Sequence, residues 1–342
     1  MKIGAGMIAR WIVAGALGLA VSATGARGAD LAPVPAPLVE PAPTCDFFEA
    51  ELIGVYCART AFVAPGVSGD EETVNRTTIS PPPVGFPRGG GTRTQHWDYR
   101  NVNESMTLAF SPWQGVRFHV TGDALQYDNS YSGLYTPNAG GFRLAPTNLS
   151  SSGSYGGWQE IGAAATVWDT HMQTPFGGMH YVLDVIGNLE FLPGGGLYQQ
   201  RDLQQLGWQS GAALPLGGSG LSLTYLSANL FERRDNPGFY EIKNTTRVLL
   251  ADDAYGWAIG PRLDGTTVLW HSPGANTGWL ETNLGGEALL QPFRRTSFPV
   301  LRDLTLDLTA THSLGQAALV PDWAGNTSLY NYSASARVNF RF

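Results

Sequence analysis

The stretch from Ser328 to Phe342 constrains this chain more than any other. Every second position reads Tyr330, Tyr332, Ala334, Ala336, Val338, Phe340, Phe342. The positions between are Asn331, Ser333, Ser335, Arg337, Asn339 and Arg341. A period of two puts the apolar residues on one face and the polar residues on the other, as in a β-strand between two different media. Chain ends ordinarily fray in polar residues. This one runs as an unbroken alternation to a final aromatic ring.

That ending resembles the terminal strand of bacterial outer-membrane β-barrels. The resemblance implies that Phe340 and Phe342 form part of the signal read by the barrel assembly machinery. It also implies surroundings of outer-membrane lipid and lipopolysaccharide.

The other end of the sequence is consistent with export. Residues 1–28 have the parts of a secretory signal: Lys2 and Arg10, an apolar run from Trp11 to Val21, then Ala26-Arg27-Gly28 with small residues for cleavage. The apolar run is shorter than the about 20 residues a membrane-spanning helix needs. No later stretch approaches such a helix, because Gly, Pro, Ser and Asn interrupt every uncharged segment. The remaining ways to read the chain are a soluble exported protein and a barrel that spans a bilayer by alternation. Composition favours the barrel. There are 43 Gly, 10 Trp and 13 Tyr, while lysine occurs only at Lys2 and Lys243. A net charge of −7 argues against a nucleic-acid partner.

Residues 29–46 are proline-rich and read as an extended periplasmic lead. The segment Asp30–Cys57 resembles the start of mature alpha-proteobacterial porins, which pair such a lead with a short cysteine-bounded segment. That family places a Pro-Gly turn between its cysteines, whereas this chain has Glu49-Ala50-Glu51-Leu52-Ile53 there. If Asp46–Tyr56 is one straight strand, Cys45 and Cys57 lie roughly 40 Å apart at about 3.3 Å per residue. A disulfide needs Cα atoms within about 7 Å. Either the segment turns back on itself or the cysteines do not pair.

From Phe47 onward, alternating segments recur between turn residues, about twelve in all. They are Phe47–Arg59, Trp97–Phe110, Val116–Tyr127, Trp158–Asp169, Met179–Phe191, Gln200–Leu214 and Leu221–Glu232. Two less distinct segments lie within Tyr240–Gly260 and Leu263–His271, followed by Trp279–Leu290, Arg302–His312 and the ending. Long polar stretches at 64–94 and 128–157 read as outer loops. The connections between them are short, the asymmetry of outer-membrane barrels. The expected fold is all-β, a closed antiparallel transmembrane β-barrel over residues 47–342 with about 12 strands, the alternatives being 10, 14 or 16. A soluble sandwich also alternates, but its strands usually run about 5–6 residues. The segments here are about twice that, and aromatics such as Trp158, Trp168, Tyr181, Trp208, Trp257 and Trp279 flank their apolar faces.

If the apolar faces meet lipid, the polar faces line the interior. The expected lining is Glu49 and Glu51 from the first segment, Arg117, His119 and Asp123 from the third, and Glu160 from the fourth. His180, Asp184 and Glu190 follow from the fifth, then Glu281, Glu287, Asp303 and Asp307, and Arg337 and Arg341 from the ending. Carboxylates outnumber arginines, so an open lumen would favour small polar or cationic solutes. The competing expectation is that these charges pair and fill the interior. The function expected is a passive porin-like channel; the alternative is a structural or export-accessory barrel whose loops bind a partner. No catalytic residue, metal site or cofactor is expected, and the oligomeric state is left open. His312 and Ser313 superficially resemble part of the outer-membrane phospholipase motif, but neighbouring strand residues point to opposite faces. For an omptin-type protease, Asp252, Asp253 and His271 are the only candidates, and acidic pairs in loops are usually solvated. His171 and His180 are separated by a turn, and His96 and His119 fall on neighbouring strands; neither pair shows the sequence spacing of a known metal site.

Overall fold

The computed structural model describes residues 45–80, 91–137, 147–191, 202–234, 238–272, 275–318 and 325–342. The signal segment and nearly all of the proline-rich lead lie outside them. A short helix, α1 (Phe47–Ile53), precedes twelve strands. These are β1 (Thr60–Ser80), β2 (Gly91–Ser111), β3 (Val116–Pro137), β4 (Thr147–Thr174), β5 (Gly177–Phe191) and β6 (Asp202–Pro215). The second half holds β7 (Leu221–Arg234), β8 (Gly238–Asp252), β9 (Trp257–Ser272), β10 (Ala275–Leu290), β11 (Leu304–Ala318) and β12 (Gly325–Arg341). A one-turn helix, α2 (Pro299–Arg302), sits between β10 and β11. Each strand pairs antiparallel with the next, and β1 pairs with β12, so the sheet closes.

The expected strand number stands, but the first strand is not the expected one. Phe47–Arg59 is not a strand. Asp46 caps α1, its side chain accepting from the Phe48 N–H at 2.9 Å, and Gly54 ends it in the left-handed region at φ +81°. The alternation Phe48, Ala50, Leu52 against Glu49, Glu51 is too short to separate the two periods, and the caps decide it. Glu49 and Glu51 therefore stand on a helix rather than on the barrel wall. With the segment folded back, Cys45 and Cys57 come to a Cα separation of 5.7 Å and form the disulfide.

The true β1 lies in the stretch expected to be a loop. Residues 64–80 belong to β1 and 91–94 to β2. The second expected loop, 128–157, likewise divides between β3 and β4, with 81–90 and 138–146 outside the described residues. Pro65, Gly66 and Gly69 made β1 read as a turn region. Pro65 has no N–H to give, and the β1–β12 ladder accordingly skips Ala64 and Pro65, running from Val63–Val338 to Gly66–Ser335. Pairing with β2 continues through the same residues.

Burial is inverted relative to a soluble protein. Asp184, Glu232 and Glu287 are almost fully buried, while Ile161, Trp168, Trp208, Ile259 and Leu284 are exposed. The register shows why. On β2 the side chains of Val102, Met106, Leu108 and Phe110 point outward, and Asn101, Asn103, Ser105 and Thr107 point inward. The outward residues of β12 are Tyr330, Tyr332, Val338 and Phe340, paired with outward positions of β1. From Phe110 to Val102 the outer face spans roughly 26 Å at about 3.3 Å per residue, comparable to the about 25 Å apolar band of membrane barrels. Beyond Val102 the outer face turns polar: Arg100 pairs with Glu71 at 2.8 Å and His96 meets Asn75 at 2.6 Å. Strands β1 to β4 are 21, 21, 22 and 28 residues long. They stand as a collar past the apolar belt.

Leu308 sits in that belt on β11, 43% exposed. Leu308→Arg is expected to destabilise the protein by about 2–4 kcal/mol when folding is titrated with urea in lipid vesicles. An exposed leucine on a water-soluble surface would change stability by no more than about 0.5 kcal/mol.

Candidate pore and its inner plug

One end of the barrel, here the near rim, carries the β2–β3, β4–β5, β6–β7, β8–β9 and β10–β11 turns and the carboxyl end. Helix α1 is seated inside this end. The Ile53 carbonyl presses on Gly211 of β6 so closely that a Cβ there would collide with it. Gly211 points inward, since it pairs with inward-facing Val182. Phe48, Leu52 and Ile53 are buried in the same cluster as Val182, Leu249, Ala251, Ala258 and Leu289 of the wall. An apolar plug thus meets an apolar ring at the inner rim.

Cations hold the plug from several sides. Arg294, between β10 and β11, grips Asp46 with two nitrogens at 2.6 and 3.1 Å. Arg247 of β8 donates to the Glu51 carbonyl at 2.6 Å, and Arg337 of β12 pairs with the Glu51 carboxylate. Arg341 donates to the Cys45 carbonyl and lies over the Phe47 ring, 4.7 Å from its centroid. Arg117 of β3 covers the Tyr56 ring at 4.3 Å. His180 of β5 meets Glu49 at 3.1 Å.

Several interior carboxylates are engaged as well. Arg247 pairs with one oxygen of Glu287, and Arg262 reaches the other at 3.0 Å while also holding Asp264. Glu232 accepts from Lys243 at 2.7 Å and from Gln205 at 2.8 Å. His119 meets Glu160 at 2.6 Å. A buried ion left without its partner is costly, about 3–5 kcal/mol on truncation, so these pairs act together as a fixed filling.

Of the expected lining, Arg117, His119, Asp123, Glu160, His180, Asp184, Glu281, Glu287, Asp307 and Arg337 face inward from strands, with Arg341 at the rim. Glu190 holds a register position opposite Glu160. Asp303 does not line the wall: it ends α2 in the rim turn, paired with Arg302 at 3.0 Å. Arg247, Arg262 and Arg294, which the sequence reading missed, offset part of the expected excess of carboxylate. Arg247 and Arg262 lie on the two strands with the weakest alternation, where inward and outward positions could not be assigned.

The enzyme alternatives find no constellation among the described residues. His312 is exposed on the outer face and Ser313 is buried on the inner face. Asp252 pairs with Trp257 at the near rim, while His271 pairs with Gly238 at the opposite end of β9.

No protein-family model matches this chain. No curated protein matches it either, so the porin resemblance of the lead gains no support from sequence comparison. Among solved structures, an outer membrane channel from Pseudomonas putida F1 aligns over 83% of this chain and 96% of its own, at 11% identity and a TM-score of 0.41. A Pseudomonas aeruginosa FadL homologue aligns over 81% and 90%, at 10% identity and 0.30. The outer membrane protease OmpT of Escherichia coli aligns over 83% and 96%, at 7% identity and 0.28. Likeness this remote carries no function from one chain to another.

The Asp46 clasp has a defined pH response. Burial works against its charge, but the Arg294 guanidinium and the Phe48 N–H together outweigh burial and hold the carboxyl below its ordinary value of 3.8. A lowered value in the seated state means the clasp is at full strength above that ordinary value and is lost as pH falls through the lowered one. Amide exchange of residues 48–54 is expected to stay slow from pH 7 to about 5 and to accelerate below about 4, after correction for intrinsic rates. Arg294→Ala should bring that acceleration to neutral pH.

Proposed function

We propose that this chain is an outer-membrane β-barrel that serves as a narrow channel for small polar solutes, held nearly closed by the α1 plug. The observation that carries this reading is the inversion of the barrel: an apolar belt outside, polar side chains inside, and a helix seated at one mouth. The near rim is then periplasmic and the β1–β4 collar extracellular. Part of the interior carboxylate is neutralised, since Glu51, Glu287, Glu232 and Asp264 have cationic partners. The collar, whose inner face includes Trp97 and Tyr131 with ring centroids 5.2 Å apart, favours a second reading in which it binds a surface partner.

Planar-bilayer recording tests the channel. The wild-type protein is expected to conduct weakly. Gly211→Leu, which drives a side chain into the Ile53 carbonyl, should raise conductance several-fold, as should opening the Cys45–Cys57 loop with Cys45→Ser and Cys57→Ser together. Silence in all three would leave the surface-binding reading in place of the channel. Phe342 is exposed beyond the end of β12, where the assembly machinery could read it. Phe342→Ser should lower the amount of folded barrel in the outer membrane, measured as heat-modifiable protein on a gel, with no change in refolding into detergent.

A further inference from the structure

We propose that Asp169, His171 and His180 form a binding site for a divalent cation of the zinc class at the near rim, with Glu49 of the plug helix as its outer partner. The β4–β5 hairpin builds the site. His171 lies directly across from His180 in the ladder, and both project into the barrel mouth beside Asp169. Their rings stack 4.1 Å apart at 15°. Asp169 Oδ1 is 2.9 Å from His180 Nε2. One donor atom from each of the three residues lies within 4.8 Å of the others. A tetrahedral zinc ion with arms of about 2.0–2.1 Å wants donors about 3.4 Å apart. Asp169 and His171 are exposed, so side-chain rotation can close that gap.

The hydrogen bonding around His180 points to a cation. Its Nδ1 faces Glu49 at 3.1 Å and its Nε2 faces Asp169 at 2.9 Å. Ionised carboxylates only accept, so each faces either a proton on the ring nitrogen or a cation bound there. A metal ion at Nε2 takes the place of the proton on that nitrogen. The Nε2 proton leaves to solvent, the freed lone pair joins the metal, and Asp169 and His171 complete three protein ligands with a fourth position open to water. His180 Nδ1–H then stays on Glu49, the carboxylate–histidine–metal arrangement that fixes a ligating ring. Two imidazoles and one carboxylate suit zinc, copper or nickel, whereas magnesium and calcium prefer all-oxygen sites.

Glu49 belongs to α1, so metal binding and plug seating are coupled, and the coupling is reciprocal. The site itself does not depend on the channel reading.

The test is a zinc titration of the full mature chain, free of any histidine tag, refolded in detergent and stripped with chelator. One zinc ion per chain is expected to bind with micromolar or tighter affinity, with magnesium not competing. His171→Ala and Asp169→Asn should each weaken binding at least tenfold. Glu49→Gln should weaken it about tenfold or more while keeping the stoichiometry. Cobalt substitution provides a readout that needs no variant: visible absorption of a four- or five-coordinate site with nitrogen ligands is expected. Absence of saturable binding by the wild-type protein would overturn the proposal. So would His171→Ala protein binding zinc as tightly as wild type, or cobalt spectra of the six-aquo ion alone.

Discussion

Everything in this fold follows from the requirement that no backbone N–H or C=O be left bare in hydrocarbon. Each unpaired group there costs several kcal/mol. A sheet satisfies its interior strands but leaves two edges, and only closure removes both. The seam between β1 and β12 is therefore what makes the other pairings possible in a bilayer. It closes in register over most of its length, and the one interruption falls at Pro65, which has no hydrogen to donate. Once the sheet is closed, period two does the rest. Alternate residues face outward, and their neighbours face a shared interior.

That interior cannot stay apolar throughout, because the inward positions are largely Asn, Gln, Ser, Thr and charged residues. The chain solves this in two ways. At the near rim it supplies α1, whose Phe48, Leu52 and Ile53 pack against Val182, Leu249 and Leu289. Deeper in, it pairs its ions into networks around Glu287 and Glu232. Packing and pairing meet at Glu51, whose backbone is held by Arg247 and whose side chain is held by Arg337. The plug is seated by wall residues far from it in sequence. Its position is thus a property of the closed barrel, not of the helix alone.

The near-rim histidines meet for a more local reason. A hairpin brings residues equidistant from its turn face to face. His171 and His180 flank the Thr174–Gly177 turn and meet across the ladder. Their relation to Glu49 is of another kind. It joins residues 131 positions apart in the chain, and it exists only because the plug enters the mouth.

The sequence by itself determined the class of fold. Alternation over Val116–Tyr127, Met179–Phe191, Leu304–His312 and Tyr330–Phe342 is a local property, set by which face each side chain takes, and it needs no knowledge of partners. The same alternation assigns Arg117, His119, Asp184 and Arg337 to the polar face. Tertiary structure decided what local pattern could not. Thr60–Ser80 became a strand despite Pro65 and two glycines, since β2 and β12 on either side supply its hydrogen bonds. Phe47–Ile53 became a helix because its caps and the disulfide hold it folded back within a closed mouth. Whether the interior charges face water or each other rested on Arg247, Arg262 and Arg294. Arg294 reaches Asp46 and Arg247 reaches Glu287 only through the closed fold, in contacts that no spacing along the chain encodes, whereas Arg262 meets Asp264 two residues on as well as Glu287 of the neighbouring strand.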